Sequence, residues 1–141
     1  ILSVVYSSSR KQIIGITGPV ACGKSTLGKV FLCEYPYEGQ ILVDGKELQN
    51  MPPSWQTDII GYLGHNPELF NDSVENNVLM GEQKKTEDFL KMVCMAEEVN
   101  EMDDGLQTLV GNGGVRLSGG QGKRLALART LCHKKASSGS G

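Results

Sequence analysis

One octapeptide constrains the fold of this chain more than any other feature: Gly-Pro-Val-Ala-Cys-Gly-Lys-Ser at residues 18–25. It has the form G-x-x-x-x-G-K-[ST], and it stands between an apolar run at residues 12–17 and a helical pattern that begins near Gly23. Glycines in such a loop let successive backbone N–H groups point inward, and the following helix N-terminus adds donors and partial positive charge. The motif therefore predicts a strand, a phosphate-binding loop and a helix, which is the opening unit of an α/β fold.

The residues of this loop differ in the chemistry that each can supply. Backbone N–H groups would surround phosphate oxygens, Lys24 would reach the β- and γ-phosphates, and the Ser25 hydroxyl would bind Mg²⁺. By itself the motif indicates a phosphate-loop NTPase and no narrower class. The candidate phosphate-binding residues are Gly18, Pro19, Val20, Ala21, Cys22, Gly23, Lys24, Ser25 and Thr26.

The rest of the hydrophobic pattern alternates between strand-like and helix-like segments. Short apolar runs at residues 40–44 and 58–63 predict further strands. Capping and acidic residues predict helix starts at residues 72–75 and at Thr86, and an apolar stripe predicts a helix over residues 123–132. Strands that alternate with helices favour a largely parallel sheet.

Composition excludes several classes of protein. The formal net charge is -2 and the pI about 5.7, so no basic field for nucleic acid is present. No apolar run approaches the roughly 20 residues that a membrane-spanning helix needs. The cysteines are widely spaced, which fits neither a zinc site nor a disulfide framework. We therefore expect no nucleic-acid partner.

A second pattern narrows the family. Residues 117–121 read Leu-Ser-Gly-Gly-Gln, and Lys-Arg-Leu-Ala-Leu-Ala-Arg follows at residues 123–129. A serine hydroxyl and glycine N–H groups at a helix start form a second anion-binding nest. The whole stretch resembles the signature of ABC (ATP-binding cassette) ATPases, which is L-S-G-G-Q followed by x-x-R-x-x-L-A-R.

The resemblance extends over nearly the whole chain. Residues 39–45 are similar to the family's G-x-I-x-x-D-G hairpin, residues 60–78 to the segment around its glutamine loop, and residues 105–111 to the stretch that precedes the signature in exporters. The chain is thus identified as an exporter-like nucleotide-binding domain of the ABC transporter family over residues 1–136, with a linker at residues 137–141. The resemblance implies a phosphate-loop NTPase core with a largely parallel sheet, an antiparallel β portion and a helical subdomain that carries the signature.

The function that the resemblance implies involves two copies of the domain. ATP and Mg²⁺ would bind at the phosphate loop, with Ser25 on the metal, and ATP would bring two nucleotide-binding domains together head to tail. The signature would then contact the γ-phosphate of the partner's ATP. The transmembrane domains of the transporter would be further partners, at the cytoplasmic face of a membrane. The signature residues are Leu117, Ser118, Gly119, Gly120 and Gln121.

The sequence departs from the family pattern in three places. The family continues beyond residue 136 into its Walker B strand, catalytic glutamate and switch histidine, so we expect this chain alone to hydrolyse no ATP. His65 stands where the glutamine loop carries its glutamine, and it could donate to phosphate, bind a metal or lie solvated in a degenerate site. Asn112 replaces the glutamate that exporters usually carry in a loop thought to meet the membrane domain.

Three functions remain open from the sequence. The first is an ATPase domain that drives export. The second is a non-hydrolysing regulatory module, the degenerate half of an asymmetric pair, which His65 and Asn112 favour. The third is a DNA-repair or chromosome-maintenance ATPase of the same superfamily. The acidic pI, the absence of coiled-coil heptads and the exporter-like stretch at residues 105–111 argue against this third function.

Overall fold

The computed structural model describes Ser7 and residues 13–134, which divide into two units. Unit 1 ends at Met51 and unit 2 begins at Pro52, so the phosphate loop lies in the first and the signature in the second. The linker at residues 137–141 lies outside the described residues.

The described part of unit 1 contains one α-helix, one hairpin and a short 3₁₀ helix at Leu48–Asn50. Helix α1 (Lys24–Phe31) begins where the sequence predicts, at the lysine of the phosphate-loop motif. Strands β1 (Leu42–Val43) and β2 (Lys46–Glu47) pair antiparallel. Asp44 and Gly45 join them with φ of 49° and 76°, and positive φ at both positions is typical of a two-residue type I′ turn. The hairpin implied for residues 39–45 is therefore confirmed.

Unit 2 is mainly helical. Its helices are α2 (Pro53–Ile59), α3 (Val74–Leu79), α4 (Thr86–Met92), α5 (Ala96–Asn100) and α6 (Gly119–His133). Strands β3 (Asp72–Ser73) and β4 (Leu109–Val110) form a second antiparallel pair. The helix starts predicted near residue 72 and at Thr86 are confirmed, although the cap of α3 is Ser73, which accepts a hydrogen bond from the Asn76 N–H at 3.0 Å.

The largely parallel sheet that we expected is not found within residues 13–134, where both sheets are antiparallel. The predicted strand at residues 58–63 is wrong, because Pro53 occupies the first turn of α2 and that helix continues through Ile59. Residues 13–17 form no strand either. A strand needs a neighbour to pair its N–H and C=O groups, and here Ile13 is fully exposed.

The hydrophobic core of unit 2 forms around α6, which packs against α3 and α4. Burial of these apolar side chains is the main stabilising term for a bundle of such short helices. No helix of the described residues has the length and apolar character to cross a membrane. The buried core residues are Val74, Val78, Leu90, Val93, Met95, Val99, Val110, Leu125, Ala128 and Cys132.

Candidate functional site

The phosphate loop curls into the start of α1. Ala21 and Gly23 both have left-handed backbone conformations, with φ of 64° and 95°. The Leu27 N–H makes a hydrogen bond of 3.0 Å to the Gly23 carbonyl, one turn back along the helix. The N–H groups of residues 24–26 precede this bond, so they lack an acceptor within the helix and remain available to an anion.

Gly18 lies where the loop comes close to itself. A Cβ atom placed on Gly18 would lie 2.8 Å from the Cys22 Sγ. A larger residue at this position would have to displace the Cys22 side chain. Cys22 itself is exposed.

The Lys24 ammonium caps the phosphate loop. Its Nζ donates to the Gly18 carbonyl at 2.8 Å and the Pro19 carbonyl at 2.6 Å, and lies 3.4 Å from the Cys22 Sγ. Phosphate oxygens are stronger acceptors than neutral carbonyls, because both partners then carry charge. Ser25 and Thr26 are exposed beside it. A cation over a curled backbone, with a free hydroxyl next to it, is the donor set that a magnesium nucleotide requires.

The signature opens α6 with a reciprocal cap. The Ser118 Oγ accepts from the Gln121 N–H at 3.2 Å, and the Gln121 Oε1 accepts from the Ser118 N–H at 2.9 Å. A hydroxyl that accepts one hydrogen bond still has its own proton to donate. In the described part of the chain, the N–H groups of Gly119 and Gly120 make no hydrogen bond. These donors are exposed together at the positive end of a 15-residue helix.

The nest was predicted from the sequence, but the cap was not. The signal was present, since Ser-x-x-Gln at residues 118–121 is itself a capping-box pattern. Glu98 on α5 was not predicted either, because no local pattern links residue 98 to the signature. The Glu98 carboxylate accepts from the Gln121 Nε2 at 2.8 Å and pairs with the Arg124 Nη1 at 2.7 Å. The hydrogen bond from Arg124 and then that from Gln121 hold the pKa of the Glu98 carboxyl below its usual value.

Arg129, farther along α6, holds the segment that follows the glutamine-loop position. Its guanidinium donates to the Glu68 carbonyl at 3.0 Å, to the Asn77 carbonyl at 2.8 Å and to the Asn77 Oδ1 at 2.8 Å. It also lies 4.6 Å from the centre of the Phe70 ring. Burial lowers the pKa of this guanidinium from its ordinary value. Asn77 is fully buried, and its carboxamide is satisfied because Oδ1 accepts from Arg129 and the Phe70 N–H while Nδ2 donates to backbone carbonyls of residues 70–73.

His65 lies exposed in a bend, and the structure describes no hydrogen bond or ion pair for its side chain within residues 13–134. No group of His, Cys, Asp and Glu able to hold a metal is found among the described residues. Asn112 is exposed in the loop before α6. It borders an open groove of about 450 Å³, which runs between residues 66–69, residues 111–117 and the start of α6.

Comparison with known proteins gives concordant matches. The chain fits the model of the ABC transporter family over residues 3–136. P-glycoprotein 14 of Caenorhabditis elegans is 37% identical over 123 residues, which are 84% of this chain and 9% of the relative. The ATP-dependent lipid A-core flippase of Escherichia coli is 34% identical over 126 residues, 85% of this chain and 22% of the relative.

A solved structure agrees with these relatives. A bacterial Atm1-family ABC exporter with ATP bound superposes with a TM-score of 0.71 at 30% identity, covering 82% of this chain and 21% of that one. The chain spans between 9% and 25% of the length of the curated relatives that it matches. The phosphate loop, the capped signature helix and these matches agree: the chain belongs to the ABC transporter family, as an exporter-type nucleotide-binding domain.

Proposed function

We propose that this chain binds Mg-ATP on residues 18–26 and that ATP binding drives export in the transporter to which it belongs. The observation that carries the proposal is the preformed phosphate loop. Lys24 already sits on the loop carbonyls, and the N–H groups at the start of α1 have no acceptor within the helix. Phosphate oxygens would replace carbonyls of the loop as the acceptors of the lysine, with little rearrangement of the backbone.

Each loop residue has a distinct part in this binding. Lys24 would leave the Gly18 and Pro19 carbonyls for the β- and γ-phosphates. The Ser25 hydroxyl would hold Mg²⁺, which when bound neutralises part of the triphosphate charge. Thr26 would add a further phosphate contact from the same helical turn. All three side chains belong to the first turn of α1, so one helix start orients them together.

The signature supports a second half of the proposal. Ser118, Gly119 and Gly120 expose donors at the N-terminus of α6. We place the γ-phosphate of a partner's ATP there, with Leu117 and Gln121 completing the motif. Two domains paired head to tail would then share two nucleotides, and ATP would hold the pair together.

The remaining partners follow from the exporter relatives. Their names describe exporters, a flippase and a P-glycoprotein, which supports transmembrane domains as partners and a place at the cytoplasmic face of a membrane. Such relatives favour export over a DNA-repair role. Hydrolysis would belong to the intact transporter and require its Walker B region. The non-hydrolysing alternative is favoured by His65, whose side chain occupies the glutamine-loop position.

Titration calorimetry with Mg-ATP tests the phosphate loop. Lys24→Ala should weaken affinity roughly a hundredfold, because it removes the charge-assisted contacts to the β- and γ-phosphates. Lys29→Ala is the matched control, since Lys29 lies on the same helix and pairs instead with Glu34 at 3.8 Å. Equal affinity in Lys24→Ala and the unsubstituted chain would show that residues 18–26 are not the nucleotide site.

A further inference from the structure

A charged side chain outside the signature sequence, Glu98, contacts the signature glutamine and is itself paired with Arg124. Glu98 lies on α5, and Arg124 lies one turn along α6 from Gln121. The Gln121 Nε2 donates to one oxygen of the Glu98 carboxylate at 2.8 Å, and the Arg124 Nη1 contacts the other at 2.7 Å. Arg124 also donates to the Cys94 carbonyl at 2.6 Å, just before α5. Both carboxylate oxygens therefore have a defined partner.

This arrangement fixes which way the Gln121 carboxamide faces. A carboxamide has an acceptor oxygen on one side and donor hydrogens on the other, and rotation by half a turn exchanges them. An ionised carboxylate only accepts, so Glu98 selects the orientation in which Nε2 faces α5. The oxygen then faces the other way, where it accepts from the Ser118 N–H at 2.9 Å. The bond from the Ser118 N–H to the Gln121 side chain, which is one half of the cap, thus depends on an acceptor at residue 98.

We propose that Glu98 is a positioning residue for the signature nest, acting through Gln121 on Ser118, and that Arg124 neutralises its charge. This inference rests on the proposed role of Ser118 toward a partner's ATP. Glu98 holds the Gln121 side chain in the orientation that binds the Ser118 N–H and so fixes the backbone at the start of the nest. Arg124 pairs with the Glu98 carboxylate and keeps its charge from repelling the arriving phosphate. If instead the Glu98 carboxylate competed with phosphate for the positive end of α6, removal of Glu98 would strengthen association of the two domains.

The first readout needs no nucleotide. In the ¹⁵N-labelled 141-residue chain, hydrogen exchange of the Ser118 N–H reports the cap directly. Glu98→Ala should speed this exchange about tenfold, and Glu98→Gln, which keeps an acceptor oxygen, should restore most of the protection. Glu97→Ala is the matched control, because Glu97 is exposed on the same helix and makes no side-chain contact among the described residues. Unchanged Ser118 exchange in Glu98→Ala overturns the inference.

The second readout is dimer formation by the chain in Mg-ATP, which sedimentation velocity measures. Glu98→Ala should raise the Mg-ATP concentration for half-maximal dimer formation roughly fivefold. The effect is modest because solvent screens the Glu98–Arg124 ion pair, whose side chains are about one-third exposed. Arg124→Gln should weaken association more, because the carboxylate then stays unpaired. The double variant Glu98→Gln/Arg124→Gln should recover part of that loss, which simple structural damage would not produce. Stronger association in Glu98→Gln overturns the positioning role.

The two readouts separate failure of the inference from failure of the proposed function. Ser118→Arg places a bulky cation in the nest and should abolish association, whatever residue 98 does. If the unsubstituted chain binds Mg-ATP but never associates, the proposed role of the signature is wrong, and the exchange of the Ser118 N–H alone decides the role of Glu98. If Glu98→Ala does not fold, the double variant supplies both measurements, because it replaces the ion pair by two neutral carboxamides of similar size.

Discussion

The two helix starts that would meet nucleotide are held in place differently. Helix α1, behind the phosphate loop, buries none of its residues, and Lys24 is held by carbonyls of its own loop. Helix α6, behind the signature, buries Leu125, Ala126, Ala128 and Cys132. It is tied further by Arg129 to residues 68–77. The phosphate loop is thus organised by local contacts, whereas the signature is organised by contacts between distant parts of the sequence.

This difference separates ligand binding from stability. Changes in the phosphate loop should alter affinity for nucleotide with little effect on folding, because few tertiary contacts depend on it. Changes along α6 should lower the free energy of unfolding of unit 2, since this helix lies at the centre of its core. Substitutions in α1 and in α6 test whether nucleotide affinity and folding stability depend on different parts of the molecule.

The largest expected effect comes from the centre of α6. Leu125 is fully buried, and Leu125→Ala should lower the free energy of unfolding by about 3 kcal/mol through lost burial and a residual cavity. The same substitution in α1, Leu27→Ala, should cost less than about 1 kcal/mol, because Leu27 is half-exposed. Urea unfolding followed by circular dichroism measures both. Similar losses of unfolding free energy for Leu125→Ala and Leu27→Ala would show that tertiary packing does not hold α6 more strongly than α1.

A smaller effect is expected at Arg129. Arg129→Lys retains the charge but cannot reproduce the planar contacts to Glu68, Phe70 and Asn77, so it should cost about 2 kcal/mol of stability. Lys123→Ala is the control, an exposed basic residue on the same helix. Urea midpoints give the comparison, and a stability equal to that of the control would mean that these contacts add nothing to the anchoring of α6.

The smallest effect concerns thiol reactivity. Cys22, Cys33 and Cys94 are exposed, whereas Cys132 is buried and burial raises the pKa of its thiol. Maleimide at neutral pH should therefore leave Cys132 nearly unmodified, because the thiolate is the reacting form. Saturating Mg-ATP should slow labelling at Cys22 about threefold, since bound phosphates would cover it, and leave Cys33 and Cys94 unchanged. Mass spectrometry of the peptides measures the labelling rates of all four cysteines. Slower labelling of Cys33 or Cys94 in Mg-ATP would indicate a change throughout the chain and not coverage of Cys22 by phosphate.

The sequence predicted the local features well because their signals are local. The phosphate-loop helix, the Asp44–Gly45 hairpin turn and the helix at Thr86 each depend on neighbouring residues. The pattern at residues 58–63 failed because an apolar run of that length does not distinguish a strand from a helix. Pro53, at the first turn of α2, was the signal that favoured the helix.

The contacts around the signature could be predicted only in part. Ser118 and Gln121 are three residues apart, so their mutual cap follows from the sequence once the helix start is known. Glu98 and Asn77 are far from their partners in the sequence, and nothing in a local window pairs them with Gln121 or Arg129. Such pairings depend on the tertiary packing of α3 and α5 against α6.

The single helix α6 carries both the signature at its start and Arg129 about three turns later. A helix of this length is stiff, so a displacement of its first turn is carried along its axis to its later turns. Arg129 grips the Glu68 carbonyl, and Glu68 forms part of one wall of the groove beside Asn112. Helix α6 therefore borders this groove twice, directly through Ser118 and Gly119 and again through Arg129, which holds the Glu68 carbonyl. We expect a displacement at the signature to change the width of the groove at both places.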